Sequence, residues 1–214
     1  MRDLIQVPLR VFRGQFLETI CIREGMPQQL EWHQRRVDAT LQHFHPAHRH
    51  SWLLEKCIEV PSAFQNGVVR CRIEYDAHHF SIHYFHYTPA NIKSIQLLEA
   101  PSGMDYRYKY ADRKIIEELY AQRRDADDIL IMKNGWITDT TIANIAFEKN
   151  GRWYTPAIPL LAGTTWKRLI SNGILKPAPI HFTQIHLFEK FKLFNAMNEW
   201  EGGAEHSIKS ITPE

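Results

Sequence analysis

The sequence predicts a globular protein built from both strands and helices. Alternating apolar and polar residues run through 67–75 and 79–87, a pattern typical of two paired strands. Between 28 and 44, apolar residues recur instead at the spacing of a helix with one buried face. The 214 residues are 44% hydrophobic and 23% charged, which argues against a disordered, collagen-like or coiled-coil chain. This length corresponds to one large domain or two small ones.

The N-terminal third is predicted to contain strands around two helices. Pro46 ends the longer helix, because proline cannot continue the hydrogen-bond pattern. TPAN at 88–91 is a turn signal after a strand, so we expect a linker there between domains of residues 1–90 and 91–214. In chain order, the predicted elements are a strand over 15–23, helices over 28–44 and 51–58, and a hairpin of strands over 67–75 and 79–87.

The remainder is predicted to be richer in strands. YRYKYADRK opens a predicted helix that runs to about Arg124. Asn134-Gly135 is the strongest local turn signal in the chain. In chain order, the other predicted elements are strands over 92–100 and 128–133, strands in WITDTTIANIAFEK and NGRWYTP, helices over 163–171 and 182–188, and strands in FKLFNAM and HSIKSI.

Charge and composition exclude several classes of function. The chain has 26 basic and 24 acidic residues, so no basic excess indicates nucleic-acid binding. No apolar stretch is long enough for a transmembrane helix, and the N-terminus lacks the pattern of a signal peptide. Three widely spaced cysteines, Cys21, Cys57 and Cys71, fit reduced thiols. We therefore expect a cytoplasmic protein without nucleic-acid or membrane partners.

Four segments carry residues suited to chemistry, and each also has a simpler structural explanation. In the first, Lys109 lies among Tyr106, Tyr108 and Tyr110. Partial burial among rings would lower the pKa of its amine, as a Schiff-base lysine requires. The alternative is a surface lysine in a tyrosine-rich strand.

The second segment is NGWITDTTIANIAF at 134–147, a polar run between apolar flanks. Asp139, Thr140, Thr141 and Asn144 would be costly to bury without partners, so the run indicates a ligand or a neighbouring polar group. The alternative is a bulge or loop that satisfies its own polar groups.

The third segment is LLAGTTWKRL at 160–169, where Gly163 precedes a helix that starts with two threonines. A helix N-terminus offers N–H groups to a phosphate, but threonines there also act as simple caps. The fourth segment is HQRR at 33–36, in which one arginine could turn towards a ligand anion. A solvated basic helix face is the alternative.

Together and in this order, these segments resemble the class IV (fold type IV) PLP-dependent enzymes. This group contains branched-chain aminotransferases, D-amino-acid aminotransferases and 4-amino-4-deoxychorismate lyase. Two long motifs are similar to the family's: NGWITDTTIANIAF to N-G-x-(I/V)-T-E-x-x-x-x-N-x-F, and TP with LLAGTTWKRL to T-P…L-x-G-I-T-R. The other matches are FLETICI at 16–22 with the early F-E-T strand, HQRR with H-x-x-R, Lys109 followed by Arg113 with the Schiff-base segment, and, more loosely, FNAM at 194–197 with the lyase branch's N-A/S-L.

The resemblance implies a two-domain α+β fold, with a small N-terminal α/β domain and a larger, β-rich C-terminal domain. It also implies a homodimer that uses pyridoxal 5'-phosphate (PLP) on a small amino substrate. Lys109 would hold the cofactor covalently and then move the substrate proton. Asp139 would keep the pyridine nitrogen protonated, so that the ring can accept electrons. The other implied cofactor contacts are Arg36, Thr164 and Thr165 at the phosphate and Asn144 behind the ring, and the implied substrate contacts are Thr19, Arg107 and Asn195.

The sequence departs from the family pattern at two motif positions. Asp139 stands where glutamate is usual, and Trp166 stands where an arginine often follows the phosphate-binding threonine. FNAM and the compact length favour the lyase, which converts 4-amino-4-deoxychorismate to 4-aminobenzoate and pyruvate in folate biosynthesis. An aminotransferase acting on a branched-chain or D-amino acid stays open, as does a cofactor-binding homologue without turnover.

The histidine-rich segment HFHPAHRH raises the question of a metal site. His43, His45, His48 and His50 have spacings that suit nickel or zinc. No carboxylate or cysteine lies close by in sequence, and Pro46 indicates an exposed loop. We therefore expect no metal there.

Overall fold

The computed structural model describes residues 15–47 and 52–213. These residues form two compact units. The first comprises the described residues up to Thr88 together with Tyr108–Asp112, and the second comprises Pro89–Arg107 and the described residues from Arg113 onward. The chain therefore returns to the first unit for the short segment that contains Lys109.

The first unit is a four-stranded antiparallel sheet with helices. The predicted first strand, first helix and hairpin are confirmed, whereas the predicted helix over 51–58 is a single turn. The sheet order is β2-β1-β3-β4. The elements are β1 (Phe16–Arg23), β2 (Met26–Pro27), α1 (Leu30–Phe44), α2 (Leu54–Cys57), β3 (Val68–Tyr75) and β4 (Phe80–His86).

The core of the first unit lies between β1 and α1. Ile20 and Ile22 project from one face of β1, since alternate residues of a strand share a face. They pack against Val37 and Leu41, which are one helical turn apart on α1. Each of these side chains is almost completely buried, and such burial is worth about 1.5–3 kcal/mol per side chain. Glu18 shares this face of β1, so the strand carries a carboxylate into an apolar core.

The second unit contains two sheets. One has the order β13-β5-β6-β7 and the other β10-β9-β8-β11-β12. No helix in the described part of the chain is long and apolar enough to cross a membrane. The elements are β5 (Ile95–Glu99), α3 (Lys114–Tyr120), β6 (Asp128–Lys133), β7 (Trp136–Thr140), β8 (Asn144–Lys149), β9 (Arg152–Pro156), α4 (Thr164–Ser171), β10 (Lys176–Ala178), β11 (Lys190–Phe194), β12 (Glu205–Ser207) and β13 (Ile211–Thr212), with a 3-10 helix at Phe182–Leu187 where a helix was predicted.

β8 separates two apolar clusters in the second unit. Its Ile145 and Phe147 belong to a cluster that contains residues of both sheets. Its Ala146 lies in the other cluster, with Leu169 of α4 and Phe194 of β11. Asn144 lies two residues before Ala146, so strand alternation places it on the side of α4.

The predicted turn at Asn134-Gly135 is confirmed between β6 and β7. Both residues have positive φ, 52° and 77°, as a type I′ hairpin turn requires. The turn pairs β6 with β7, and Asp139 lies near the end of β7 with a buried side chain.

The predicted helix from YRYKYADRK to about Arg124 is wrong in extent. α3 covers only Lys114–Tyr120. The preceding residues pair with the first strand instead: the Leu17 N–H donates to the Lys109 carbonyl at 2.9 Å, and the Ala111 N–H donates to the Gln15 carbonyl at 3.0 Å. These backbone groups are used in strand pairing, so they are not available to a helix.

Candidate active site

The carboxyl group of Asp139, near the end of β7, is almost completely buried. Its Oδ1 accepts a hydrogen bond from Asn144 Nδ2 at 2.7 Å, and its Oδ2 accepts one from the Leu161 N–H at 2.8 Å. Burial raises the pKa of Asp139 to about 7, although these hydrogen bonds act in the opposite direction. Its hydrogen-bond partners within the described residues are neutral donors, so its negative charge has no balancing cation there. A protonated ring nitrogen would supply one.

Asn144 connects β7 to the segment that precedes α4. Its Nδ2 donates both to Asp139 and to the Leu161 carbonyl, the latter at 2.9 Å. A Cβ atom on Gly163 would lie 2.3 Å from Asn144 Oδ1, a contact that is sterically excluded. Only glycine therefore permits the chain to pass this close to Asn144.

The N-terminus of α4 has backbone N–H groups without side-chain acceptors. Gly163 is the N-cap residue, and no side chain caps the helix. Thr164 and Thr165 lie inside the first turn and are 4% and 7% exposed. They do not act as caps, so the capping alternative is wrong. The uncapped N–H groups and the positive end of the helix dipole suit a phosphate.

Arg36 is buried in the first unit and paired with Glu18. Its Nε donates to Glu18 Oε1 at 2.7 Å, and its Nη2 donates to Oε2 at 2.5 Å. His33 Nδ1 lies 2.6 Å from the same Oε2. The solvated-face alternative holds for the neighbouring Arg35, which is exposed and paired with Glu31, but not for Arg36.

The protonation states of this buried group follow from its contacts. Burial raises the pKa of Glu18, but the Arg36 charge and the hydrogen bonds from His33 and Arg36 outweigh burial and place it at about 2. Burial lowers the pKa of His33. At neutral pH the group therefore contains an ionised Glu18, a charged Arg36 and a neutral His33. Sequence reasoning did not single out Glu18, although a glutamate on the apolar face of β1 was a usable signal.

Lys109 is half-buried and its backbone is held on both sides. Its carbonyl accepts from Leu17, and the Tyr110 N–H donates to the Tyr108 carbonyl at 2.9 Å, which makes Lys109 the centre of a three-residue turn. The rings of Tyr108 and Tyr110 pack against Phe44. Burial is the main cause that lowers the pKa of His33, and the charges of Arg36 and Lys109 lower it further. Lys109 is therefore close enough to act electrostatically on the buried Glu18, His33 and Arg36 group.

The predicted cofactor residues thus form two sets. The first unit holds Lys109 and Arg36, and the second holds Asp139 and Asn144 with Thr164 and Thr165 at the start of α4. In the second unit, Asp139 and Asn144 share a hydrogen bond, and both also bond to Leu161, which precedes α4. In the first unit, the charges of Arg36 and Lys109 both lower the pKa of His33. The residues fit a PLP cofactor in their chemistry, because an amine, a phosphate-binding helix end and a buried carboxyl without a cation are all present.

The three predicted substrate contacts have different surroundings. Thr19 is half-buried on β1 and pairs in register with Arg72. The Arg107 side chain is 78% exposed and forms an ion pair with Asp105 at 2.8 Å. The Asn195 side chain hydrogen-bonds to three backbone groups. Contact of these residues with substrate stays a prediction.

The polar run after Asp139 partly satisfies itself. Thr141 Oγ1 donates to Asp128 Oδ1 at 2.7 Å, and Thr140 Oγ1 lies 3.2 Å from the Ala143 N–H. The self-satisfied loop therefore holds for the threonines, whereas a ligand at Asp139 stays a prediction. Trp166, which differs from the arginine usual in the family, has a buried indole N–H that finds no hydrogen-bond acceptor in the described residues.

The histidine segment is described only in part. His43 stacks on Tyr108 with ring centroids 5.0 Å apart. His48 and His50 lie outside the described residues. Within 15–47 and 52–213, no group of three or more His, Cys, Asp or Glu side chains is arranged to hold a metal ion.

Comparison with known proteins identifies relatives over most of the chain. An uncharacterized protein of Haemophilus influenzae is 36% identical over 182 residues, covering 85% of this chain and 96% of that one. A "Putative aminodeoxychorismate lyase" of Schizosaccharomyces pombe is 40% identical over 78 residues, covering 35% of this chain and 32% of that one. The crystal structure of a "putative 4-amino-4-deoxychorismate lyase" from Haemophilus somnus has a TM-score of 0.82 at 30% identity, covering 88% of this chain and 98% of that one.

A family model agrees with these relatives and with the two-domain α+β fold type that the motifs imply. The model for amino-transferase class IV matches residues 15–202, which is most of the chain. Enzymes of this family use PLP, in agreement with the chemistry of the residues described above. The chain is therefore an enzyme that belongs to the class IV aminotransferase family.

Proposed function

We propose that the protein is a PLP-dependent 4-amino-4-deoxychorismate lyase. The observation that carries the proposal is the likeness to the Haemophilus somnus structure, because it extends over nearly the whole of both chains and its description names this activity. The partial match to the Schizosaccharomyces pombe relative, described with the same activity, supports it. The reaction divides the substrate into 4-aminobenzoate and pyruvate, and it needs neither added water nor a redox partner.

The cofactor contacts are proposed residue by residue. Lys109 is the covalent attachment point, Arg36 binds the phosphate, and Asn144 supports the ring. Thr164 and Thr165 bind the phosphate through the open end of α4. When bound, the cofactor ring accepts the electron pair left by the departing substrate proton.

Asp139 and Lys109 carry the proton chemistry. The Asp139 carboxylate would accept a hydrogen bond from a protonated ring nitrogen, and such a cation would favour the ionised form that burial disfavours. The Lys109 amine removes the α-proton of the substrate and returns it during product formation. Thr19 and Arg107 are proposed to contact the substrate. We also propose a cytoplasmic homodimer that acts in folate biosynthesis.

Pyruvate release from 4-amino-4-deoxychorismate by the PLP-loaded protein tests this function. Lys109→Ala should abolish release, and borohydride should no longer fix the cofactor to the chain. Lys114→Ala is the matched control, since the Lys114 side chain is 80% exposed and paired with Glu118. It should leave release unchanged.

A panel of D- and L-amino acids with a keto-acid acceptor separates the lyase from an aminotransferase. Keto-acid formation well above the rate of pyruvate release would make transamination the function. Absence of both reactions in protein that binds the cofactor would leave a cofactor-binding homologue without turnover.

A further inference from the structure

We propose that Arg113 and Asn195 are positioning residues that hold the turn between β7 and β8 and thereby place Asp139 for the cofactor ring. This proposal rests on the proposed role of Asp139. It concerns residues 141–143, which connect the two strands and follow Asp139 almost directly.

Two consecutive carbonyls of this turn are held by side chains from distant parts of the sequence. Arg113 Nη2 donates to the Thr141 carbonyl at 2.7 Å. Asn195 Nδ2 donates to the Ile142 carbonyl at 3.0 Å. Arg113 precedes α3 and Asn195 follows β11, so the turn is held from two separate elements.

The ends of the turn are held by the Thr141–Asp128 and Thr140–Ala143 hydrogen bonds, whereas apolar burial does not anchor its middle residue. Ile142 is 45% exposed. The Arg113 contact is charge-assisted, and no carboxylate among the described residues pairs with this guanidinium. Its interaction with the turn is therefore not weakened by competition from an acidic side chain.

Asn195 is oriented for this contact. Its Oδ1 accepts hydrogen bonds from the Met197 and Asn198 N–H groups, both at 2.8 Å. With Oδ1 fixed in this way, Nδ2 is directed to the Ile142 carbonyl. An amide whose two ends are both used by backbone groups fits a positioning role better than a substrate contact.

The turn matters to Asp139 because this side chain has little reach of its own. Aspartate is one methylene shorter than the glutamate usual at this position. Because it has fewer rotatable bonds, the position of its carboxylate depends mainly on the position of the β7 backbone. The same carboxylate holds the Leu161 N–H at 2.8 Å, and Leu161 lies just before α4. Displacement of the turn would therefore be detected at the Leu161 amide.

Two variants each remove one contact. Arg113→Met keeps the aliphatic stem and removes the donors. Asn195→Asp keeps the Oδ1 acceptor for Met197 and Asn198 but removes the donor to Ile142. Arg113→Lys keeps a charged donor and should restore part of the effect, and Arg152→Met, at an exposed position, is the matched control.

Hydrogen exchange in the cofactor-free protein measures the turn independently of activity. We expect the Leu161 amide to exchange about tenfold faster in Arg113→Met and in Asn195→Asp, as loss of one hydrogen bond implies. Exchange in Arg152→Met should match the wild type. Unchanged Leu161 exchange in both turn variants would overturn the proposal, and each variant tests it even if the other fails to fold.

The loaded enzyme then tests the link to the cofactor. The pH midpoint of cofactor absorbance should shift and kcat should fall, with KM nearly constant. A rise in KM alone for Asn195→Asp would instead assign this residue to the substrate and overturn its positioning role. Faster Leu161 exchange with an unchanged absorbance profile would confirm that the turn is held, but it would refute the role proposed for Asp139.

Discussion

Replacement of Glu18 by glutamine should destabilise the protein strongly and in a pH-dependent way. The pKa of Glu18 falls from an ordinary 4.5 to about 2, because Arg36 and His33 favour its ionised form more than burial opposes it. Each pKa unit corresponds to about 1.4 kcal/mol, so ionised Glu18 contributes roughly 3 kcal/mol to the free energy of unfolding. This value agrees with the cost of about 3–5 kcal/mol for removing one partner of a buried ion pair. The expected loss at pH 7 is therefore roughly 3 kcal/mol or more.

The sign of the pH dependence follows from the lowered pKa. The contribution is complete above pH 4.5 and is lost as the pH falls towards 2, where Glu18 is protonated in the folded protein as well. By pH 3 about 2 kcal/mol of the difference between wild type and Glu18→Gln should have disappeared.

Urea unfolding followed by circular dichroism between pH 7 and pH 3 measures this difference. Glu31→Gln is the matched control, because Glu31 forms an exposed ion pair with Arg35 on the same helix. Its effect should stay within about 0.5 kcal/mol. A Glu18→Gln loss below about 1 kcal/mol at pH 7, or a loss that does not shrink in acid, would refute the reasoning.

Three further outcomes are expected from the second unit and the thiols. Burial raises the pKa of Asp128, whose Oδ2 has no hydrogen-bond partner in the described residues, so the stability that protonated Asp128 contributes is lost as pH rises. Asp128→Asn should therefore be at least as stable as wild type at pH 8, and a lower melting temperature of the variant at that pH would contradict this. Gly163→Ala should cost about 1–3 kcal/mol in urea unfolding and weaken PLP binding, since its Cβ would meet Asn144; an unchanged midpoint would count against the close approach. Burial raises the pKa of Cys71 to about 12, so an aromatic disulfide reagent should modify half-buried Cys57 much faster, and equal rates in the native protein would be inconsistent with the fold.

Several features of the fold could be predicted from sequence because their causes are local. The Asn134-Gly135 turn depends on two residues that tolerate positive φ, and both adopt it. The start of α4 depends on Gly163 and the threonines that follow it, and the helix begins there. The order of the motifs was enough to identify the family. In each case the relevant residues are neighbours in the chain, or the pattern itself is linear.

Tertiary structure decided where charges are buried and where backbone groups find partners. Lys109 does not enter a helix, because its carbonyl is taken by Leu17 of a strand far away in sequence. Arg36 is buried because it pairs with Glu18 on the facing strand, whereas the neighbouring Arg35 is exposed. A hydrogen bond or an ion pair needs both partners at about 3 Å, and only the folded chain brings residues from separate elements to that distance. Local pattern therefore determined which elements form, and the packing of those elements determined which polar groups they can use.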